Sequence, residues 1–461
     1  MFVDTILNTS HILSNRQSLV NARKGTSTGR NVQDKKSLYL PLEIITHILE
    51  AAYYDENFEV DVITLTNSAL VCNAWAAPAQ NLLFRSVTLR SSTGFSSFRE
   101  AVNPCTRRGK MLGNSVVRLK VIVDHNHPDQ LSHRALSLAF CLCPNLYEFD
   151  LALYGCLVPG HYRDGSTGGV RTFRAAPSFD AGTLDLLRNG PHIRSLKFSN
   201  WSDNDQLAFQ LLSGVWSSLV SVSLKGTPPR LPALETETPI PFSSHFLKEL
   251  RLGFHTVPNP DFIRWLLSNT GRSLQCLEID RDLGVLYLDS ILSPSAHSVE
   301  SLFIPSCMTR EEVAIVEKCD RLKEFRFESP VFSPVLLERL PKTIEHLALT
   351  VSRETPLYLV IKFVKSRSGS NLSALTVHLW GDGDTHPQLP SLRIACACAG
   401  VELHVIRDIF HFRDTVRGDP LPQSSFPRER SVSNLQKMLC VLNASREAMV
   451  MIDKITGVLI I

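Results

Sequence analysis

The chain has 461 residues, a formal net charge of +3, 44% hydrophobic residues and eleven cysteines. It is too long for one ordinary compact domain, although a repeat array can use such a length continuously, and its apolar content supplies a sizeable core. The near-balanced charge gives no argument for bulk attraction to nucleic acid or to an anionic membrane. The longest apolar runs, such as Leu136–Cys143 and Gly457–Ile461, fall short of the roughly 18 residues that a membrane-crossing helix takes. The cysteines are odd in number and scattered without a framework, and the first residues lack a secretory pattern, so reduced thiols and a cytoplasmic and/or nuclear location are expected.

Residues 1–37 are polar, rich in Ser, Thr and Asn, and predict a disordered segment. From residue 38 to 89 three helical patterns follow. Leu40-Pro41-Leu42-Glu43 is a helix start: proline at the first turn loses no intrahelical hydrogen bond, and Glu43 faces the positive end of the helix dipole. Ile44, Ile45, Ile48 and Leu49 then recur at helical spacing as far as Tyr53. A second pattern runs through Leu65, Ala69, Leu70, Val71, Cys72 and Trp75. A third starts at Ala76 or Pro78 and passes Leu82, Leu83 and Phe84 into the strand-like Arg85–Leu89.

These three stretches, LPLEIITHIL, SALVCNAWA and LLFRSVTL, resemble in order the F-box, in the variant common among fungal F-box proteins with leucine-rich repeats. The insertion Tyr53–Asp61 makes the first connection longer than in compact F-boxes. The resemblance implies a non-catalytic substrate receptor of a Skp–cullin–F-box ubiquitin ligase, using no cofactor. Its partners would be a Skp-type adaptor, through that adaptor a cullin, and a target protein, with neither nucleic acid nor membrane involved. Carried over by position, it assigns adaptor docking to Leu40, Pro41, Ile44 and Ile48 from the first stretch. Leu70, Val71, Cys72 and Trp75 come from the second, and Leu83 and Phe84 from the third. Trp75 could equally be a core anchor.

Beyond residue 90 the informative signal is repetition. The pattern apolar-x-x-apolar-x-apolar occurs from Val116-x-x-Leu119-x-Val121 to Leu372-x-x-Leu375-x-Val377, with starts 22–30 residues apart, as at 116 and 146 or at 322 and 344. Val170-x-x-Phe173-x-Ala175 is one of the looser copies, and Val401–Ile406 reads as a terminal strand. Helical patterns intervene at Phe179–Arg188, Asp205–Leu212, Pro260–Leu267, Arg310–Lys318, Pro334–Arg339 and Pro356–Lys365. Strand, turn, helix, turn at this period predicts an irregular leucine-rich-repeat horseshoe over 90–408, an α/β repeat with a parallel strand array. The asparagine that usually follows the motif is mostly missing; Cys307 takes that place once and Asn200 lies one residue short of it. A doubly wound α/β sheet is disfavoured because the strands alternate strictly and no glycine-rich phosphate turn follows an early one. Gly155–Gly169 and Thr227–His245 replace helices with Gly- or Pro-rich loops, and residues 409–461 read as a capping tail.

Residues of catalytic type have simpler readings. Gly165–Gly169 lacks the Lys-Ser/Thr ending of a phosphate loop. His125-x-His127, Cys141-x-Cys143 and Cys396-x-Cys398 match no zinc spacing, and the apolar neighbours of Cys141 and Cys143 suggest core cysteines on a helix. Asp382 and Asp384 sit in a Gly-Asp-Gly-Asp turn. The remaining functional surface is the inner wall, formed by the residues between the apolar ones of each motif. Its central positions are Lys120, Asp150, Arg174, Lys197, Ser223, Arg251, Glu278, Phe303, Arg326, Ala348 and Thr376, with Lys225 one pair further along its strand. Arg174, Lys197, Lys225 and Arg251 are the expected target-binding residues, attracting an acidic or phosphorylated segment. The alternative function is a leucine-rich-repeat interaction scaffold with no ligase role.

Overall fold

The computed structural model describes residues 40–414, apart from 55–59, 161–170, 176–178, 217, 233–241, 243–245, 271 and 367–370. The expectations for 1–37, for the glycine-rich 165–169 and for the tail beyond residue 414 lie outside the described residues. Three helices lead the chain: α1 (Leu42–Ala51), α2 (Val62–Val71) and α3 (Asn73–Leu83). Asp61 caps α2 by accepting from the Thr64 N–H at 2.8 Å. The second apolar pattern is not one helix. Cys72 is extended, with φ −162° and ψ 172°, so α2 ends at Val71, α3 starts at Asn73, and Trp75 belongs to α3. Nor does Pro78 start the third helix; it lies inside α3, where it has no N–H to donate back to the Ala74 carbonyl.

The strands are β1 (Ser86–Leu89), β2 (Arg118–Asp124), β3 (Glu148–Tyr154), β4 (Cys156–Gly160), β5 (Arg171–Ala175), β6 (Ser195–Trp201) and β7 (Ser221–Gly226). They continue as β8 (Glu249–Phe254), β9 (Cys276–Ile279), β10 (Ser301–Ile304), β11 (Glu324–Phe327), β12 (His346–Val351), β13 (Ala374–Leu379) and β14 (Glu402–Ile406). Twelve of them form one parallel sheet whose spatial order follows the chain, β1-β2-β3-β6 and so on to β14. A doubly wound sheet reverses its order at a switch point; this one never does. It is the sheet of an α/β repeat solenoid.

Alternation builds the core. In β2, Leu119, Val121 and Val123 are buried, while Arg118, Lys120, Ile122 and Asp124 point the other way. Crossover helices return the chain from each strand to the next and cover the apolar side, as Pro260–Leu267 does with Phe262, Ile263 and Leu266. One continuous apolar core runs from Ile45 in α1 to Val401 before β14. Repeats that contact only their neighbours bury their faces this way.

Two strands depart from the expected series. Val170–Ala175 reads as a repeat strand, but β5 pairs antiparallel with β4 and stands outside the parallel sheet, so β3 pairs directly with β6. A parallel partner needs a crossover, usually helical, whereas an antiparallel one needs only a reversal. By its sequence the Gly- and Pro-bearing 155–169 is poor helix material. At the other end of the series, the strand-like Arg85–Leu89 supplies β1, the first strand of the sheet.

Cys307 is fully buried at its motif position, and its carbonyl accepts the Ser333 N–H at 2.9 Å. The Asn200 carbonyl accepts the Thr227 N–H at 2.7 Å. Gly226, with φ 87°, passes so close that a Cβ there would overlap the Asn200 carbonyl oxygen.

Candidate functional site: an apolar helical face and the open side of the sheet

On α1 the side chains divide by helical spacing. Ile45 and Leu49 are buried, whereas Leu40, Pro41, Leu42, Ile44 and Ile48 are exposed. Ile44 and Ile48, four residues apart, lie one above the other on the outward side. On α2 and at its end, Ile63, Val71 and Cys72 are also exposed, while Leu65 and Ala69 point inward. The docking residues assigned from the sequence therefore separate into three groups. Leu40, Pro41, Ile44, Ile48, Val71 and Cys72 are accessible; Leu70 and Trp75 are half-buried, Trp75 against the core; Leu83 and Phe84 are interior. Leu83 and Phe84 serve packing because they sit where α3 turns into β1. Exposed Leu42 and Ile63 were not among the assigned residues, although the spacing Leu40, Ile44, Ile48 already marks an unneeded apolar side.

The open side of the sheet carries the expected row in register. Lys120, Asp150, Lys197, Ser223, Arg251, Glu278, Phe303, Arg326, Ala348 and Thr376 are successive Cα partners. Arg174 is not among them, since β5 lies in the antiparallel pair opposite Leu157. The remaining three basic residues do not form a free cationic strip. Lys197 contacts Glu148 at 2.9 Å, itself also 3.9 Å from Arg118. Lys225 lies 3.9 Å from Asp280. Arg251 is only 3% exposed and sits between Glu278 at 3.0 Å and Glu249 at 3.7 Å. Burial pushes the Arg251 guanidinium down, and the two carboxylates more than reverse that, so its charge is held.

For Arg251 the pairing has a sequence signal, since an acid follows it one motif on at the same position, whereas Lys197 and Lys225 pair with acids outside that pattern. Lys120 and Asp150, 3.5 Å apart, are related in the same way as Arg251 and Glu278. Further along, Glu278 also holds Arg326 at 2.6 Å, and the Arg326 guanidinium stacks 3.6 Å from the Phe303 ring centroid. Arg326 is fully buried. Burial also raises the Glu324 carboxyl to about 7 and lowers His346 to about 3, leaving that imidazole neutral while it bonds to Thr376 Oγ1 at 2.8 Å.

One cysteine of each pair is a packing residue, Cys143 and Cys396, whereas Cys141 and Cys398 are exposed, against the expectation of two core cysteines at 141 and 143. Cys143 is buried, with its thiol directed at the Ala139 carbonyl at 3.3 Å, and burial raises the Cys396 thiol to about 11. Asp382 and Asp384 lie in the short 3₁₀ turn Gly381–Thr385. Among the described residues no group of three or more His, Cys, Asp or Glu is arranged to hold a metal ion, and no helix is long and apolar enough to cross a membrane.

Sheet order, strand alternation and repeat length together define the class: an α/β solenoid of the leucine-rich-repeat type, preceded by three helices. No protein-family model and no curated protein matches the sequence. Among solved structures, the chain is similar to a chain of the crystal structure of the Rad7 and Elc1 complex in yeast, at 14% identity and a TM-score of 0.40, over 86% of this chain and 97% of that one.

Proposed function

We propose that this chain is the substrate-recognition subunit of a Skp–cullin–F-box-type ubiquitin ligase. In this reading α1 to α3 grip a Skp-type adaptor and the open side of the repeat sheet holds the target. The chain performs no chemistry; it holds the target at high effective concentration beside the ubiquitin-charged enzyme. The observation that carries the reading is the outward apolar side of α1. Leu42, Ile44 and Ile48 are exposed on a helix whose interior needs are already met by Ile45 and Leu49, and Leu40 is exposed just before it. Apolar helix residues laid into a partner's groove are an established recognition mode, each buried Leu or Ile contributing about 1.5–3 kcal/mol.

The test is co-purification of the full chain with a Skp-type adaptor, for wild type and for the double variant Ile44→Asp, Ile48→Asp. The wild type is expected to retain the adaptor through gel filtration, and the variant to lose it with an unchanged melting temperature, because both side chains are exposed. A wild-type chain that fails to retain the adaptor overturns the ligase reading and leaves an interaction scaffold.

A further inference from the structure

The open side of the sheet is covered over β11–β13 by the chain's own last described helix, Ile409–Asp414. Phe412 is fully buried against Ala348. The His378 ring lies 5.3 Å from the Phe412 ring, and the Arg326 guanidinium 5.8 Å from it. The next residue, Arg413, donates to Glu328 through Nε at 2.7 Å and Nη2 at 2.8 Å, a bidentate fork. Arg326 Nη1 donates to the backbone carbonyls of Phe412 and Arg413. An apolar slot, a carboxylate fork and a main-chain donor are thus placed side by side on the sheet.

The sheet holds His378 and Arg326 without the helix, His378 against Thr350 Oγ1 at 3.1 Å. Arg326 is fixed by Glu278 and by the Phe303 ring, neither of which belongs to the covering helix. Phe412 and Arg413 are the helix's two adjacent anchors, with Ile409 packed beside Phe412, while Phe410 is 72% exposed. That arrangement is how a short peptide is read, with one aromatic anchor, one charged anchor and bonds to the backbone between them.

We propose that this part of the sheet is a recognition site for a segment in which arginine directly follows an aromatic residue. The chain's own Phe412–Arg413 occupies it in cis, and a target carrying such a segment displaces it. The inference rests on the reading of this sheet side as the target surface, but not on the adaptor. Occupation in cis lowers the apparent affinity for a ligand added in trans by the fraction of chains that are open.

The probe is a labelled synthetic peptide with the sequence of residues 407–415, titrated into the full chain. Wild type is expected to bind it at least tenfold more weakly than the variant Phe412→Ala, Arg413→Ala, which vacates the site. Adding Glu328→Gln to that variant is expected to cost roughly tenfold, the loss of a charge-assisted pair, and a peptide with alanine for its arginine should lose as much. No binding by a folded double variant, or binding indifferent to both Glu328 and the peptide's arginine, overturns the proposal. Should the double variant not fold, Arg413→Ala alone, at a partly exposed side chain, must still bind more tightly than wild type, and no gain there also overturns it. Adaptor co-purification of the same variants is expected to be unchanged, which separates failure of this site from failure of the ligase reading.

Discussion

Arg251 and Glu324 lie on the same side of the sheet and have opposite electrostatic lots. Arg251 is buried between two carboxylates, so truncating it leaves Glu278 and Glu249 with one cation fewer in a desolvated row. Breaking a buried pair from one side typically costs about 3–5 kcal/mol, far more than the pair contributes over an apolar replacement. Arg251→Ala is therefore expected to lower the denaturation midpoint strongly, and adding Glu278→Met is expected to lower it further rather than restore it, because Glu278 also holds the fully buried Arg326 at 2.6 Å. Glu324 is the reverse case, a carboxyl that burial raises from its usual range to about 7. Below about pH 4.5 it is protonated in both folded and unfolded chains and contributes nothing. Between there and pH 7 the unfolded chain ionises first, so stability falls as pH rises, and above 7 the full cost remains. Discounted for partial exposure, that cost is about 2 kcal/mol. Glu324→Gln should match wild type in thermal denaturation at pH 4 and melt higher at pH 8; equal melting at both would show that the carboxyl is solvated.

At the scale of elements, what was legible is what depends on local periodicity. Strand alternation fixed ten of the eleven central wall positions, because Cβ direction follows from the strand alone. The helix Pro260–Leu267 lies at the bounds its sequence predicts, Asn259 and Pro260 marking the start, while Arg310–Glu317 ends one residue early and Leu207–Gly214 is shifted by two. What failed depends on partners. Whether Val170–Ala175 joins the parallel sheet depends on the connection before it, and its side-chain pattern is the same either way. The divide between α2 and α3 rests on one extended residue, Cys72, within an apolar run that keeps helical spacing on both sides. The pairing of the basic residues was half-visible: the columns held both signs, but the omission of β5 from the sheet is what makes Asp150 and Lys197 neighbours. Phe412 and Arg413 carried no periodic signal, since their place is set by groups more than 80 positions earlier, Arg326 and Glu328.

Across the whole molecule, the leading helices and the sheet form one continuous body. Only Phe84 and Arg85 separate the end of α3 from β1. Phe84 keeps helical backbone angles, and the Arg85 carbonyl already accepts the N–H groups of Val117 and Arg118 at 3.0 and 2.9 Å. Side chains brace the joint, with Ser115 Oγ donating to Asn81 Oδ1 at 3.0 Å and Arg108 Nε to Gln80 Oε1 at 3.2 Å. Leu83, Phe84, Val87 and Leu119 belong to the same apolar core. A partner held on α1 would thus sit at a fixed angle to anything held on the sheet, a geometry that a flexible linker could not supply. The prediction is cooperative loss. Phe84→Ala should cost about 3–5 kcal/mol, as large aromatic truncations in cores do. Amide exchange should then accelerate together in α3, at Gln80 to Leu82, and in β2, at Leu119 to Val121. Ile48→Asp should leave both protected, because its side chain faces solvent. Fast exchange in α3 of the Phe84→Ala chain with β2 still protected would mean that the helices are a separately folding unit, and that the angle between the two surfaces is not set by the joint.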